Sequence, residues 1–269
     1  MAKGGDMPVR LLAGQSTKLS RTMHDIRYDE VHDEFFVTNP FAQAILVFAG
    51  SVNGDAAPKR IIQGPKTQLS NSDRLEVDPV NNEIIVPMGD SIAVYPRDAD
   101  GDVAPLRIIK GPETHLRQAT SVAVDPVNNI LVVGLNSGDS SESSAGQVPN
   151  GAILIFNRTD EGNVAPRAII KGPKSGITRI NQLALYPPRK LIVAAQPGPI
   201  EDMEPKGAYV GIWTIDDNGD VPPRWKINAS AKSEMKKPRG VVLDPKHKEL
   251  IVADMRLNSV LTYYFPEIF

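Results

Sequence analysis

The sequence predicts an all-β fold built from five copies of one structural unit, and two patterns support this prediction. The stretch GDVAPLRIIKGP, at Gly101 to Pro112, recurs in related forms along the 269 residues. Its landmark proline lies at Pro8, Pro58, Pro105, Pro166 and Pro223, so the spacings are 50, 47, 61 and 57 residues. A repeat period near 50 residues is typical of propeller architectures, in which each copy forms one blade.

The second pattern is an aromatic residue that closes the third apolar run of every copy. These residues are Phe48, Tyr95, Phe156, Trp213 and Tyr263. An aromatic ring at a fixed sheet position usually buries apolar area, so we expect these rings to pack between blades. Stacking against a bound sugar is the alternative role. Five rings in register again indicate five blades.

Each copy contains four short apolar runs, which we name strands a, b, c and d of a blade. In the second copy they are Leu75 to Val77, Glu83 to Val86, Ser91 to Tyr95 and Leu106 to Lys110. Pro, Asn, Asp and Gly separate the runs, and β-branched residues fill them, as in short strands joined by tight turns. The sequence therefore predicts a five-bladed β-propeller with four antiparallel strands per blade.

The last copy lacks a strand d, and the N-terminus carries an unassigned one at Val9 to Ala13. There are 46 residues from Pro223 to Phe269 and 8 more to Pro8, which together make 54, one ordinary period. We therefore predict that the N-terminal strand closes the last blade. Such closure removes the free sheet edges that favour aggregation.

The repeat runs from end to end and leaves no boundary for a second domain. We predict a single domain over residues 1–269, with blades at about 24–64, 73–111, 120–172, 181–229, and 239–268 plus 8–14.

Composition excludes several classes of function. A net charge of -2 and a pI near 6.1 predict no general attraction to nucleic acid. The absence of cysteine excludes disulfides and thiolate metal sites. No apolar run is long enough to span a bilayer, and the first residues lack the apolar core of a secretion signal. We expect a monomer without membrane insertion, either cytoplasmic or exported with its leader removed.

The strand sequences resemble a known family. A strand a ending in VDP, a hairpin, a strand b such as ELIVAD at Glu249 to Asp254 and a strand c such as SIAVY are similar to NHL-repeat and YVTN/gluconolactonase-like β-propellers. The resemblance covers essentially the whole chain. It implies a propeller fold and a ligand site on the end of the blades that carries the d-to-a and b-to-c loops. The family includes interaction scaffolds, lactonases and lyases, and its known members mostly have six or more blades.

Two insertions and an uneven charge distribution point to the same end. The insertions are Asn136 to Gly151 and Gln196 to Gly207, and long loops on a rigid scaffold often bind ligands. The d-to-a loops carry eleven basic and four acidic residues, a balance of +7. An anionic ligand would suit this balance, although solvated loops explain it equally well.

Polar residues also recur near the start of the a strands, where we expect the ligand site. The candidate ligand-binding residues are His24, Asp25, Asp73, Arg74, His115, Arg117, Asn181, Gln182 and Arg239. The resemblance implies that a metal, if bound, is Ca²⁺ held by carboxylate and amide oxygens, for which Asp25, Asp73 and Asn181 are the candidates. A polar lining filled with water is the alternative.

Two further predictions concern charged side chains. Arg27 and Glu76 share the same strand position in neighbouring blades, so we expect them to form a buried or half-buried pair. A three-histidine zinc site is excluded, because only His24 and His115 of the four histidines lie toward the loop-bearing end.

These observations favour a non-catalytic binding or scaffolding propeller that presents its loop-bearing end to a protein, a peptide or a small anionic ligand. No cofactor is required for this function. The alternative is a metal-dependent, lactonase-like hydrolase that uses Asp25, Asp73 and Asn181. A structural subunit of a larger assembly is a third possibility.

Overall fold

The computed structural model describes residues 7–21, 23–70, 72–136, 151–198 and 207–269. Regular structure in these ranges consists of β-strands and short 3-10 turns. The strands form five antiparallel sheets, and the strands of each sheet follow one another in sequence order. Together they make up a five-bladed β-propeller fold, as the repeat predicts.

The strand bounds agree closely with the predicted apolar runs. The first blade contains β1 (Ile26–Asp29), β2 (Glu34–Asn39), β3 (Ala44–Ala49) and β4 (Arg60–Gln63), and the second contains β5 (Glu76–Asp78), β6 (Glu83–Pro87), β7 (Ser91–Pro96) and β8 (Arg107–Lys110). The third contains β9 (Ala119–Asp125), β10 (Ile130–Leu135), β11 (Ala152–Asn157) and β12 (Ala168–Ile170), and the fourth contains β13 (Gln182–Tyr186), β14 (Leu191–Gln196), β15 (Tyr209–Thr214) and β16 (Trp225–Asn228). The fifth contains β17 (Pro238–Asp244), β18 (Glu249–Asp254) and β19 (Ser259–Tyr264).

The chain divides into two compact units, which are described separately below. The first unit comprises Met1–Ile84 with Val94–Leu106, and the second comprises Ile85–Ala93 with Arg107–Phe269.

The recurrent GDVAP and GP sequences belong to one contact between neighbouring blades. Gly111 follows β8 with a φ of 132°, and the side chain of Asn163 lies 2.4 Å from where a β-carbon of Gly111 would stand. The Asn163 side chain accepts a hydrogen bond of 2.8 Å from the backbone N–H of Glu113. Equivalent glycine–acid pairs are Gly14 with Asp55, Gly64 with Asp102, and Gly172 with Asp220. The repeat therefore forms a contact that holds neighbouring blades together, which we call the glycine contact.

The N-terminal segment also takes part in the glycine contact. Leu12 forms a parallel bridge with Gly54, which corresponds to the bridges that the d strands make through Ile62, Ile109 and Ile170. The segment therefore occupies, against the first blade, the place of a fourth strand from a preceding blade. The last sheet contains the three strands β17, β18 and β19 among the described residues.

The aromatic rings at the ends of the c strands pack in the interior, as expected. Phe48, Phe156 and Trp213 are fully buried. The hydroxyl of Tyr263 donates a 2.7 Å hydrogen bond to the carbonyl oxygen of Ser233, in the turn that follows β16. Tyr95 makes the same contact with the carbonyl oxygen of Thr67. These two tyrosines therefore join their c strands to the turn that follows strand d of the preceding blade.

None of the helices in the described ranges has the length and apolar character needed to cross a bilayer.

Candidate functional site

The first unit gathers a cluster of charged side chains where β1 and β5 begin. The side chain of Asp25 is only 6% exposed, and its carboxylate lies 3.3 Å from Arg27 and 3.8 Å from Arg74. It also accepts a 3.3 Å hydrogen bond from the backbone N–H of Leu75. Arg27 lies 3.3 Å from Glu76, which confirms the predicted pair. Two arginines and two carboxylates thus compensate one another across two blades.

Burial dominates the ionisation of this cluster. Removal from water disfavours the charged form, so it raises the pKa of the Asp25 and Glu76 carboxyl groups. The same effect lowers the pKa of the Arg74 guanidinium. Nearby opposite charges partly offset these shifts, so removing one member leaves the others with uncompensated buried charge.

The Arg27–Glu76 pair should show a measurable coupling energy. We expect Arg27→Met and Glu76→Leu to destabilise the protein separately, and the double variant to cost less than their sum by about 1–3 kcal/mol. The physical reason is that each single change leaves a buried charge without its partner. Urea unfolding of the four proteins measures this coupling.

The exposed pair Lys190–Asp216, separated by 3.6 Å, provides the matched control. A cycle of Lys190→Met and Asp216→Leu should give a coupling of at most about 0.5 kcal/mol, because water screens exposed pairs. Equal coupling energies in the two cycles would show that burial does not strengthen the interaction between Arg27 and Glu76.

A second contact at the same end of the first unit involves His24. Its Nδ1 atom lies 3.0 Å from the carboxylate of Asp73, and both side chains are partly exposed. Phe41, in the b-to-c loop, is 78% exposed and meets the His24 ring edge-on at 6.4 Å. An aromatic side chain in a loop therefore lies next to predicted site residues.

Thr38 is a residue of this cluster that the sequence analysis missed. Its hydroxyl accepts a 3.0 Å hydrogen bond from the backbone N–H of Asp25 and donates a 3.1 Å bond to the carbonyl oxygen of Asp73. It is the first polar residue after the apolar run of β2, which is the only signal that could have identified it.

The second unit brings together three other predicted residues. Asn181 donates a 2.7 Å hydrogen bond to the carbonyl oxygen of Arg239, and it accepts a 3.3 Å bond from the Arg239 guanidinium. The Gln182 side chain accepts a 2.8 Å bond from the backbone N–H of Val241. These contacts join the a strands of neighbouring blades. The polar atoms of Asn181 and Gln182 are therefore already engaged in hydrogen bonds within the protein.

His115 and Arg117 lie in the d-to-a loop of the second blade, and both are exposed. His115 has a φ of 56° and follows the 3-10 turn Pro112–Thr114. These two residues have the accessibility that a surface contact with a partner requires.

Exposed basic residues surround the described d-to-a loops. In the first unit they are Lys18, Arg21 and Lys66; in the second they are Arg117, Lys174 and Lys232. Only Glu113 and Glu234 are exposed acidic residues in the described parts of these loops. The other two acidic residues, Asp25 and Asp73, have cationic or histidine partners. The loops' own exposed residues are therefore mainly basic, while the exposed carboxylates of Asp55, Asp102 and Asp220 accept hydrogen bonds from the loop backbone.

The residues proposed as calcium ligands do not fit a cation as they are arranged. Asp25 is already held by two arginines, whose positive charge opposes cation binding. Asp73 pairs with His24, and Asn181 bonds with Arg239. No group of three or more His, Asp or Glu side chains in the described residues could hold a metal ion. Asp25 and Asp73 belong to the first unit and Asn181 to the second.

A second charged cluster of the first unit lies at the end with the a-to-b hairpin. Glu34 is 2% exposed and accepts hydrogen bonds from Lys59 at 2.6 Å, from Arg60 at 2.7 and 2.8 Å, and from Arg97 at 2.6 Å. The hydrogen bonds from Arg60, followed by those from Lys59, lower the pKa of Glu34 to about 2. This cluster joins the first blade to the turn after β7.

The two predicted binding insertions, Asn136 to Gly151 and Gln196 to Gly207, lie largely outside the described residues. Their role therefore stays a prediction.

Comparisons with known proteins identify the fold and not the family. No protein-family model and no curated protein matches this chain. Among solved structures, Kuenenia stuttgartiensis hydrazine synthase is similar with a TM-score of 0.60 and 14% identity, over 86% of this chain and 55% of that one. A chain in the crystal structure of the mitotic checkpoint complex is similar with a TM-score of 0.57 and 14% identity, over 86% of this chain and 60% of that one. This chain thus matches less than two thirds of the length of either similar chain.

Proposed function

We propose that this chain is a non-catalytic binding propeller whose loop-bearing end takes an acidic segment of a protein or peptide. The observation that carries the proposal is that the exposed residues belonging to the d-to-a loops are mainly basic. The loops themselves contribute six exposed basic residues, three in each unit, and two exposed acidic ones, Glu113 and Glu234, while Asp55, Asp102 and Asp220 contact the loop backbone from the neighbouring turns. Such an excess attracts anionic partners and accelerates their association.

The buried charges of the same end support binding rather than chemistry. Asp25, Arg27, Arg74 and Glu76 compensate one another, and Asn181 with Gln182 bonds to the neighbouring blade. Groups held in this way cannot readily transfer a proton or bind a metal during a reaction. A lactonase-like hydrolase would need these residues to be rearranged.

Apolar side chains beside the charged loops favour a protein or peptide over a small anion. Phe41 is largely exposed in the first unit, and Met255 and Leu257 are exposed in the b-to-c loop of the second. Protein interfaces combine such apolar anchors with a charged rim. One of the similar solved chains belongs to a mitotic checkpoint complex, so the fold serves within a protein assembly there. We also propose membership of the NHL-repeat and YVTN/gluconolactonase-like propellers, on the strand motifs alone.

Charge reversal on the loops tests the proposal. We expect Lys174→Glu with Lys232→Glu to weaken binding of a fluorescent poly-glutamate peptide about tenfold at low salt, because two attractive charges become repulsive. The effect should shrink as salt is added, since salt screens exposed charges. Fluorescence anisotropy at two salt concentrations measures both.

Lys246→Glu with Lys248→Glu makes the same change of charge in the hairpin at the other end of the second unit, where both lysines are exposed. This control should keep most of the affinity of the unmodified protein. Equal losses of affinity in the two double variants would mean that net charge alone attracts the peptide. The loop-bearing end would then not be the binding surface.

A further inference from the structure

Two of the turns between strands c and d carry an asparagine followed by a glycine. They are Asn53–Gly54 in the first unit and Asn218–Gly219 in the second, and all four residues are exposed. In an Asn–Gly pair, the backbone nitrogen of the glycine can attack the side-chain carbonyl carbon of the asparagine, because glycine has no β-carbon to hinder the approach. Both turns therefore meet the covalent requirement for deamidation, and water can reach them.

The turn in the second unit binds β12 through both groups that take part in this reaction. The side-chain oxygen of Asn218 accepts a 2.9 Å hydrogen bond from the backbone N–H of Ile169, and the N–H of Gly219 donates a 2.7 Å bond to the carbonyl oxygen of Ile169. The carbonyl oxygen of Gly219 also accepts a 3.1 Å bond from the N–H of Lys171. The glycine nitrogen can therefore attack only when the turn detaches from β12.

The first unit contains the same arrangement twice, once with asparagine and once with aspartate. Asn53 accepts a 2.9 Å hydrogen bond from the N–H of Leu11, and the following glycine donates a 2.8 Å bond to the carbonyl oxygen of Leu11. Asp100 accepts a 3.0 Å bond from the N–H of Ile61, and the following glycine donates a 2.7 Å bond to the carbonyl oxygen of Ile61. An aspartate at this position thus makes the same contacts as an asparagine.

We propose that Asn53 and Asn218 are deamidation sites, and that the pairing of their turns with Leu11 and Ile169 controls the rate. In the second unit, the nitrogen of Gly219 forms a bond to Cγ of Asn218, the bond from Cγ to Nδ2 breaks, and the side-chain nitrogen leaves as ammonia with the proton of the glycine N–H. Water then opens the resulting succinimide ring at either carbonyl carbon, which gives aspartate or isoaspartate. Water is the only other reactant.

The two products differ in how they fit the turn. Aspartate keeps the length of the backbone, and Asp100 already makes the required bonds in the same position. Isoaspartate adds one carbon atom to the backbone, which displaces the N–H of Gly219 from the carbonyl oxygen of Ile169. We therefore expect Asn218→Asp to keep the denaturation midpoint of the unmodified protein, and isolated isoaspartate-containing protein to unfold at a lower denaturant concentration.

The neighbouring glycine contact allows the control by pairing to be tested. Asp220 follows the Asn–Gly pair and accepts hydrogen bonds of 2.7 and 3.1 Å from the N–H groups of Lys174 and Ser175, in the turn after β12. We expect Asp220→Ala to speed deamidation of Asn218 in the folded protein about tenfold, because two hydrogen bonds to a charged group no longer hold the turn in place. Asn53, in the other unit of the same protein, should keep its rate.

Peptide mass spectrometry during incubation at mildly alkaline pH measures these rates through the mass difference between an amide and a carboxyl group. The peptides also separate the two sites from a third pair, Asn150–Gly151, which begins outside the described residues. Asn163, which precedes a valine, is the internal control and should not convert, because a branched side chain blocks the attack.

Two further variants test the chemistry without weakening the glycine contact. Gly219→Ala should nearly abolish conversion of Asn218, and nothing lies within 4 Å of the added β-carbon. Asp100→Asn should create a new site that converts as Asn53 does, because its turn has the same pairing and a following glycine. These two variants decide the question even if Asp220→Ala does not fold.

Two results would overturn the proposal. If the folded protein did not convert while protein unfolded in urea converted at both sites, the turns would protect their asparagines completely. If Asp220→Ala accelerated Asn53 and Asn218 equally, or neither of them, the pairing of each turn would not control its own reaction.

Discussion

Gly111→Ala should lower the free energy of unfolding by about 3 kcal/mol or more. The backbone at Gly111 has a φ of 132° and a ψ of 170°, a conformation that residues with a β-carbon rarely adopt. An added β-carbon would also stand 2.4 Å from the side-chain oxygen of Asn163 and 2.8 Å from its β-carbon. Backbone strain and overlap therefore add, and urea unfolding measures their sum.

Gly162→Ala is the matched control, because Gly162 has a φ of 72° with nothing within 4 Å of an added β-carbon. It should cost about 1 kcal/mol, the ordinary cost of a left-handed backbone. Asn163→Ala should partly rescue Gly111→Ala, because it removes the overlap with the side-chain oxygen but leaves the β-carbon at 2.8 Å and the backbone strain. If Gly111→Ala lowered the free energy of unfolding by no more than Gly162→Ala does, the glycine contact between blades would add nothing to the cost of the backbone conformation.

Glu34→Gln should destabilise the protein by about 3 kcal/mol. The carboxylate of Glu34 is buried and accepts hydrogen bonds from Lys59, Arg60 and Arg97. Its pKa is lowered from 4.5 to about 2, and each pKa unit corresponds to about 1.4 kcal/mol. A neutral amide would also remove the carboxylate that lies nearest to Arg60 and Arg97, both of which are largely buried. Denaturant unfolding at neutral pH measures the loss.

The same lowered pKa fixes the direction of the pH dependence. Stability contributed by a carboxyl group with a lowered pKa is fully present above its unfolded pKa and is lost as the pH falls through its folded pKa. The contribution of Glu34 should therefore disappear between about pH 4.5 and about pH 2. Over this range, the difference in stability between the unmodified protein and Glu34→Gln should narrow toward zero.

Glu30→Gln provides the control for both measurements, because Glu30 is exposed in the same hairpin. We expect a change within about 0.5 kcal/mol and no narrowing with pH. A Glu34→Gln difference that stays constant down to pH 2 would mean that packing of the side chain, rather than its charge, carries the effect.

Local pattern determined the strands and their hairpins. The motif DPVNN predicted a turn because proline presets one dihedral angle and asparagine tolerates a positive φ. In the structure, Asn82 and Asn129 have φ angles of 54° and 57°, and Asp78 accepts hydrogen bonds from the backbone of Val80 and Asn81. Such turns depend on residues within five positions, which a sequence displays directly.

The predicted site was only partly accessible to the same reasoning. The sequence placed Asp25, Asp73 and Arg74 near one another, and it paired Arg27 with Glu76. It did not predict that Asp25 would be held by two arginines, that Thr38 would join it, or that Asn181 would be committed to Arg239. Assigning these residues to a ligand overlooked their bonds to the next blade.

The sequence by itself thus determined five blades, their strands and the positions of their turns, because hydrophobic period and turn chemistry act over a few residues. Only the tertiary structure decided which polar groups form hydrogen bonds and ion pairs between blades. Asn163 meets the glycine that is 52 positions earlier, and Arg97 meets Glu34 across 63 positions. Partners about one repeat apart or more are chosen by how blades pack, and no local pattern encodes that geometry.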